Sequence, residues 1–232
     1  MKFNKSIEMI DIVAHGLDDL VGQVVFVGGA TLGVYIDDPA VPEVRPTDDV
    51  DCVIEVTTRS SYYRFEEELR KRRFINSGGP NDPICRWKFM GVTVDIMPTD
   101  ESILGFSNRW YSKGCKSSEL LSLPSGRAIY VLTAPFYLAT KMEAFLGRGQ
   151  NDLRTSSDFE DIVALFNGRS KIEAEIQDAP SELKKYLQLN FSLLLKARND
   201  LEEAVYCHLP YGSTGATRVK NILELIERTV QE

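Results

Sequence analysis

The hydrophobic pattern of this 232-residue chain changes near residue 133, and that change limits the folds it can adopt. Before it, short apolar runs bounded by turn residues predict strands; after it, apolar residues recur at helical spacing. We therefore expect an α/β (α+β) fold, with a small mixed-sheet domain over residues 1–132 and a helical domain over residues 133–232. Hydrophobic residues make up 43% of the chain, enough to build a core, which excludes a disordered protein.

The predicted elements follow from these patterns. Strands are expected at residues 24–27, 49–56, 84–90, 92–97 and 128–132, the third and fourth forming a hairpin around Gly91. Helices are expected within residues 1–23 and at 30–36, 60–73, 134–148, 155–167, 170–178, 181–207 and 216–231. The stretch between Met97 and Ala128 has no regular pattern and is expected to be irregular.

Composition narrows the class of protein. The net charge of −7 argues against a general nucleic-acid coat, which is normally basic. No run approaches the roughly 20 apolar residues of a membrane span, and the first residues lack an unbroken apolar segment for export, so a cytoplasmic protein is expected. The four cysteines form no CxxC pair, which predicts buried thiols rather than a disulfide framework or a zinc site.

Asp49 and Asp51 lie two residues apart on the second predicted strand, so their side chains leave the same face. Two carboxylates about 4 Å apart repel by about 1 kcal/mol in water and by about 4 kcal/mol at an effective dielectric of 20. Such a pair needs a cation, a shared proton or full solvent. A solvated strand edge is the simple alternative, and the D-x-D spacing alone does not exclude it.

A third acid favours the cation. Asp95 lies in mid-strand within the run VTVDIMP, where exposure to solvent explains an acidic residue poorly. Three carboxylates on neighbouring strands supply the oxygen ligands that Mg²⁺ or Mn²⁺ prefers. Two such ions about 3.5–4 Å apart can bind the attacking and leaving oxygens of a phosphoryl transfer. The sequence therefore predicts a metal site at Asp49, Asp51 and Asp95.

A glycine turn, Gly28-Gly29, ends the first predicted strand and opens a short helix. Such a turn lets backbone N–H groups approach a phosphate closely. A dinucleotide-binding fold is the alternative reading, because Gly28, Ala30 and Gly33 loosely follow the G-x-G-x-x-G pattern.

Three observations disfavour the dinucleotide fold. Prolines at positions 39, 42 and 46 prevent a long first helix, and no series of βαβ units follows. Asp49 and Asp51 begin their strand, whereas a ribose-binding acid should end it. A Walker A loop is also excluded, since no Gly-Lys-Ser/Thr follows the glycines.

Taken together, the segments FVGGATL, RPTDDVDCVIEV and VTVDIMP resemble the nucleotidyltransferase superfamily that includes DNA polymerase β, and more closely its AbiEii-like toxin family. The resemblance covers residues 24–166. It is carried by the R-x-T-x-D-h-D pattern (h apolar) and by later helical positions: Arg45, Thr47, Asp49 and Asp51, then Lys141, Arg148, Asp158 and Asp161. Gly29 departs from the superfamily's usual serine, and the segment from Gly29 to Asp49 is longer than the compact spacing.

The resemblance implies roles for these residues. Asp49 and Asp51 would hold the metal of the nucleotide, Asp51 and Asp95 the catalytic metal, and Asp95 would also act as the base. Gly28, Gly29 and Thr31 would contact the nucleotide, with Thr31 replacing the missing serine hydroxyl. Lys141 would neutralise the triphosphate or the leaving pyrophosphate. Arg148, Asp158 and Asp161 would complete that nucleotide site, the two acids by orienting Lys141.

For the helical residues, spacing alone leaves a plain alternative open. Lys141 can be a solvated helix lysine, and Asp158 and Asp161 can be an ordinary acidic pair in the first turns of a helix capped by Ser156.

Two basic stretches are candidate contacts for nucleic acid. Residues 70–73 read RKRR, which is more typical of a solvated helix end than of a tRNA-binding patch. The second stretch interleaves charges and rings that could stack on bases: Arg109, Trp110, Tyr111, Lys113 and Lys116.

The function expected from this resemblance is transfer of a nucleoside monophosphate from an NTP to a hydroxyl of a tRNA 3′ end, a protein or a small molecule. The protein would be the toxin of a bacterial toxin–antitoxin or phage-defence pair, with a cognate antitoxin as partner. Two alternatives stay open: a catalytically inactive binding module on the same fold, and an antibiotic-type enzyme with a small-molecule acceptor.

Overall fold

The computed structural model describes residues 5–41, 44–80, 82–148, 152–209 and 215–231, so the predicted loop position Pro42 lies outside the described residues. The chain forms two compact units. The first contains the residues up to Val34 together with Arg45–Thr133, and the second contains Tyr35–Val44 together with the residues from Ala134 onward. Residues 35–44 therefore belong with the helical unit, although they lie between the first two strands in sequence.

Seven strands in the described part of the chain form one mixed sheet, which confirms the predicted fold class. They are β1 (Val24–Val27), β2 (Asp49–Ile54), β3 (Ile75–Asn76), β4 (Arg86–Phe89), β5 (Val92–Pro98), β6 (Glu119–Ser122) and β7 (Ala128–Val131). Their order across the sheet is β3-β4-β5-β2-β1-β7-β6. β2 pairs in parallel with β5 and antiparallel with β1, so it lies in the interior of the sheet.

The helices of the first unit are α1 (Lys5–Leu17), α2 (Leu32–Tyr35), α3 (Arg59–Lys71), α4 (Glu101–Leu104) and α5 (Tyr111–Lys116). Two 3₁₀ turns, Asp18–Gln23 and Gly29–Thr31, flank β1. The expectation of an irregular stretch before residue 128 is wrong, because α4, α5 and β6 lie there. Gly105 ends α4 in a left-handed conformation, a local stop signal that was present in the sequence.

The remaining helices are α6 (Ala134–Arg148), α7 (Ser157–Gly168), α8 (Ile172–Gln177), α9 (Ser181–Lys196), α10 (Arg198–Cys207) and α11 (Gly215–Val230). The expected single helix over 181–207 is wrong, because the backbone leaves helical geometry at Ala197, with φ −103° and ψ 51°. Phe145 of α6 contacts Phe159 of α7, and Phe166 of α7 meets Phe191 of α9 edge to face, so aromatic contacts join these helices.

The two faces of the sheet differ in character. Alternate residues such as Phe26, Cys52 and Ile96 are fully buried in the hydrophobic core that also contains α1 and α3. The Tyr62 hydroxyl of α3 donates a hydrogen bond of 2.8 Å to the Ile96 carbonyl, which fixes α3 against β5. Because side chains alternate along a strand, the residues between these core positions, including Asp51 and Asp95, lie on the opposite face.

The cysteines only partly match expectation. Cys52 and Cys85 are buried, but Cys115 is half-buried and Cys207 is exposed at the end of α10, so the prediction of four buried thiols is wrong for the last two. No described helix is both long and apolar enough to cross a membrane.

Candidate metal and nucleotide site

The sheet register brings the three predicted acids together. Asp51 of β2 is the direct partner of Asp95 on β5, and Asp49, one row away on the same face, is the partner of Thr93. Neighbouring strands lie about 4.8 Å apart, so the carboxylates of a directly paired couple can reach one cation. β2 is not an edge strand, since β1 and β5 flank it, but Asp49 begins the strand and its side chain is 38% exposed, as the alternative of a solvated strand start expects.

A cation of the protein itself already contacts two of these acids. Arg86 of β4 is the direct partner of Asp95. Its Nε donates to Asp95 Oδ1 at 2.8 Å and its Nη2 to Asp95 Oδ2 at 2.7 Å, a bidentate pair. The same Nη2 donates to Asp49 Oδ2 at 3.3 Å.

Burial strengthens the ion pair between Arg86 and Asp95. Asp95 is only 8% exposed, and the Arg86 side chain is about a quarter exposed. The hydrogen bonds to Asp95, together with the charges of Asp95 and Asp49, raise the pKa of Arg86 above its ordinary value, against the opposing effect of burial. Arg86 is therefore permanently charged, and it offsets one of the three negative charges on this face.

Gly28 leaves room for Asp51 at the end of β1. Its backbone has φ +72°, a conformation that favours glycine. A Cβ placed there would lie 1.9 Å from Asp51 Oδ2 and 2.7 Å from its Cγ. Glycine is thus required twice, once for the turn and once for the close approach of the carboxylate.

In the turn after β1, the Thr31 hydroxyl donates a hydrogen bond within the turn. Thr31 is fully buried, and its Oγ1 donates to the Gly28 carbonyl at 2.9 Å. A phosphate contact from this hydroxyl, as expected from the resemblance, would require that bond to break. Upstream of β2, Thr47 is buried and its Oγ1 donates to the Asp49 carbonyl at 3.3 Å, which fixes the chain where the acids begin.

The donor set suits a divalent cation, although the described side chains do not converge on one. Carboxylates on a partly exposed sheet face are the ligands that Mg²⁺ and Mn²⁺ prefer, and Gly28 supplies space around Asp51. Within the described ranges, no three His, Cys, Asp or Glu side chains are grouped closely enough to hold a metal ion. Arg86 lies instead against Asp49 and Asp95.

The nearby thiols do not supply further metal ligands. Burial raises the pKa of Cys52 well above its ordinary value, and the charges of Asp51 and Asp95 raise it further. Burial and the charge of Asp95 raise the pKa of Cys85 to about 12. Both thiols are therefore protonated near neutral pH, and within the described ranges neither is grouped with two further potential ligands closely enough to hold a metal ion.

A second charged cluster lies within the helical unit. Lys141 of α6 places its Nζ 2.6 Å from Asp161 Oδ2 and 3.2 Å from Asp158 Oδ1. Arg148, whose side chain is mostly exposed, donates from Nε and Nη2 to the two oxygens of Asp158 at 3.1 and 3.2 Å. The four residues named from the resemblance are thus neighbours in the fold.

Burial shows whether the charged side chains of the helical cluster are solvated. Lys141 is 6% exposed, Asp158 4% and Asp161 0%. The alternative of a solvated lysine is therefore wrong. Asp158 does lie in the first turn of a helix capped by Ser156, as its alternative expected, but both acids are buried and contact Lys141. Burial alone would raise the pKa of Asp158, but the hydrogen bond from Arg148 and the charge of Lys141 hold it below its ordinary value.

Three side chains of the first basic stretch, residues 70–72, form ion pairs with acidic residues of the protein. Arg70 pairs with Glu67 and lies over the Trp87 ring, Lys71 pairs with Glu68, and Arg72 pairs with Glu68 and Asp19. These contacts favour the structural interpretation of residues 70–73.

One of the two aromatic residues of the second stretch, Trp110, is not free to stack on a base, whereas Tyr111 is half-buried. Trp110 is only 2% exposed, and Arg109 and Lys113 lie over its ring at 5.4 and 5.9 Å from the centroid. The expectation that Trp110 stacks on nucleic-acid bases is therefore wrong.

Sequence reasoning missed Arg86, although a signal was present. Met90 and Gly91 both have positive φ, as a two-residue type I′ hairpin turn requires. Counting outward from that turn pairs Phe89 with Val92 and, three residues further along each strand, Arg86 with Asp95.

Comparison with known proteins adds no assignment. No protein-family model matches the chain, and a search of curated proteins finds no match.

Proposed function

We propose that this protein is a Mg²⁺- or Mn²⁺-dependent nucleotidyltransferase that moves a nucleoside monophosphate from an NTP to a hydroxyl acceptor and releases pyrophosphate. One observation carries the proposal. Asp49, Asp51 and Asp95 lie on one face of two adjacent parallel strands, with Asp51 and Asp95 directly paired. Arg86 offsets only one of these three negative charges, and a polyphosphate accompanied by divalent cations is a ligand that such an acidic row can bind.

The residues would divide the chemistry as follows. Asp49 and Asp51 would hold the cation that accompanies the triphosphate, and Asp51 and Asp95 the second. When bound, the divalent ions would stabilise charge on the attacking and leaving oxygens. The acceptor oxygen forms a bond to the α-phosphorus, and the bond from that phosphorus to the bridging oxygen of pyrophosphate breaks. Asp95 would accept the proton that the hydroxyl loses at a carboxylate oxygen, either directly or through a water molecule.

The helical cluster enters the proposal through the resemblance alone. Lys141 would neutralise the triphosphate, Arg148 would also contact the nucleotide, and Asp158 and Asp161 would orient Lys141 there. Their contacts with one another hold α6 to α7 whether or not a nucleotide binds.

The biological role we propose also rests on the resemblance. An AbiEii-like toxin would act in the cytoplasm, where NTPs are available, and would be neutralised by an antitoxin protein. Its acceptor would be a tRNA 3′ end or a protein side chain. A small-molecule acceptor, as in antibiotic modification, would give the same chemistry without slowing growth on expression.

A transfer assay tests the activity. Purified protein is incubated with Mg²⁺ and each α-³²P-labelled NTP, with bulk tRNA and cell lysate as acceptors. We expect label to appear in one acceptor pool with the wild type and with Asp48→Ala, an exposed acid just before β2. Label should be absent with Asp51→Ala. Equal labelling by Asp51→Ala, or none by the wild type, would overturn the proposal.

A second candidate is a binding module that lacks activity. It is favoured by the bidentate contact of Arg86 with Asp95 and by Gly29 in place of the superfamily serine. Such a module would bind a partner protein and transfer no label in the same assay.

A further inference from the structure

The contact between Arg86 and the acids has a consequence for how metal enters the site. One guanidinium donates to both oxygens of Asp95 and to Oδ2 of Asp49. These are the oxygens that a divalent cation would use. Arg86 belongs to β4, whose pairing with β5 holds its backbone beside Asp95, so only its side chain can move away.

We propose that Arg86 competes with the divalent metal for Asp49 and Asp95, so that metal binds tightly only together with a nucleotide. This inference rests on the proposed function, since it concerns the same acids. In the absence of nucleotide, Arg86 satisfies the buried Asp95 carboxylate. The metal must then displace or repel a permanent positive charge a few ångströms away.

The negative charge of the triphosphate changes this balance. An NTP provides oxygen ligands and also attracts the guanidinium, whose planar fork suits phosphate as well as carboxylate. Arg86 can rotate from Asp95 toward a phosphate because its side chain is about a quarter exposed. Asp95 would then be available as a ligand and as a base only when the substrate is present.

The same geometry admits an opposite role, which the experiment separates. If Arg86 only orients Asp95 for the metal, its removal weakens metal binding. If Arg86 competes, its removal strengthens metal binding. The two roles therefore predict changes of opposite sign.

The test measures Mn²⁺ affinity without nucleotide by following the EPR signal of free Mn²⁺ during titration. For Arg86→Met we expect Mn²⁺ to bind on the order of tenfold more tightly, from the loss of a unit charge close to a divalent ion. For Arg86→Lys, which keeps the charge but not the fork, we expect an intermediate value.

Lys88→Met is the matched control. Lys88 lies two residues along the same strand, on the same face, is exposed, and pairs with Thr93 instead of an acid. Its loss removes the same formal charge without the contact, so we expect a change of less than about twofold. A comparable gain in both variants would show general charge repulsion and overturn the specific role of Arg86.

The two proposals can fail separately. Unchanged or weaker Mn²⁺ binding in Arg86→Met, with transfer activity intact in the wild type, overturns competition and leaves the enzyme proposal standing. If circular dichroism shows that Arg86→Met does not fold, Arg86→Lys is used instead. Tighter Mn²⁺ binding by Arg86→Lys than by the wild type then supports competition, and unchanged or weaker binding overturns it. No Mn²⁺ binding by any variant, with or without NTP, overturns both.

Discussion

The two charged clusters of this protein use the same residue types in opposite ways. On the sheet face, Asp49, Asp51 and Asp95 form a group with one cation, Arg86, and this group is partly exposed. In the helical unit, two acids meet two bases, and three of those four residues are buried.

The two clusters differ in how far their charges are neutralised within the protein. A balanced, buried cluster satisfies its own charges and ties secondary-structure elements together. A surplus of acids on a partly exposed face is left with negative charge that a ligand can neutralise. Proximity of charged groups alone would not have distinguished the two clusters.

The largest effect on stability is expected when the balance of the helical cluster is broken. Asp161→Ala removes the nearer of the two carboxylates, those of Asp161 and Asp158, that contact the buried Lys141. We expect it to lower the free energy of unfolding by about 3 kcal/mol, the lower end for breaking a buried pair, since Asp158 remains. Urea denaturation measures this, with Glu202→Ala, an exposed acid on α10, as the control. A loss below about 0.5 kcal/mol, as for a surface acid, would remove the distinction between the clusters.

At the acids of the sheet face, we expect a substitution to reduce activity while leaving stability unchanged. We expect Asp51→Asn to reduce transfer activity by about 10²–10³-fold, comparable to loss of one electrostatic group that stabilises a transition state. Its free energy of unfolding should stay unchanged or rise, because a negative charge beside Asp95 is removed. Activity and denaturation are measured on the same preparation. Loss of stability together with activity would assign Asp51 a structural role.

A smaller effect is expected from filling the space beside Asp51. Gly28→Ala meets both a positive φ and a Cβ 1.9 Å from Asp51 Oδ2, and we expect a loss of about 2–3 kcal/mol in stability together with impaired activity. Gly126→Ala is the matched control, because Gly126 has φ +88° with no neighbour within 4 Å of its added Cβ. It should lose only the backbone contribution, about 1 kcal/mol. Equal losses at both positions would show that the space beside Asp51 is unimportant.

The smallest effect is a pH dependence of the helical unit. The pKa of Asp158 lies below its ordinary value, so the folded state binds fewer protons than the unfolded state. Its contribution to stability is fully present above the unfolded pKa, about 3.9, and is lost as pH falls through the lower folded pKa. We expect stability measured from pH 6 to pH 2 to fall less steeply in Asp158→Asn. An identical slope would show that Asp158 is not linked to acid unfolding.

Much of the site was predictable because it follows from strand periodicity. Spacing alone placed Asp49 and Asp51 on one face of their strand, whereas the alignment of Asp95 with them depends on the pairing of β2 with β5. Arg86 required the register of the hairpin, which the turn at Met90-Gly91 determines but a search for acidic motifs overlooks.

The helical part shows where sequence patterns are insufficient. Apolar neighbours of Lys141 left its burial undecided, since helical spacing does not reveal which partners a neighbouring helix supplies. The break at Ala197 has neither glycine nor proline at that position to signal it, so helix propensity does not locate it. Burial of Trp110 beneath Arg109 and Lys113 likewise depends on contacts that local composition does not reveal.

The central claim is that the acids of the sheet face bind a metal-bound nucleotide, and isothermal titration tests it most directly. Each NTP is titrated with and without Mg²⁺ into the wild type, Asp49→Ala and the control Asp48→Ala. We expect Mg²⁺-dependent binding of at least one NTP by the wild type and by Asp48→Ala, and none by Asp49→Ala. Binding that is equal in Asp49→Ala, or that does not require Mg²⁺, would contradict the claim.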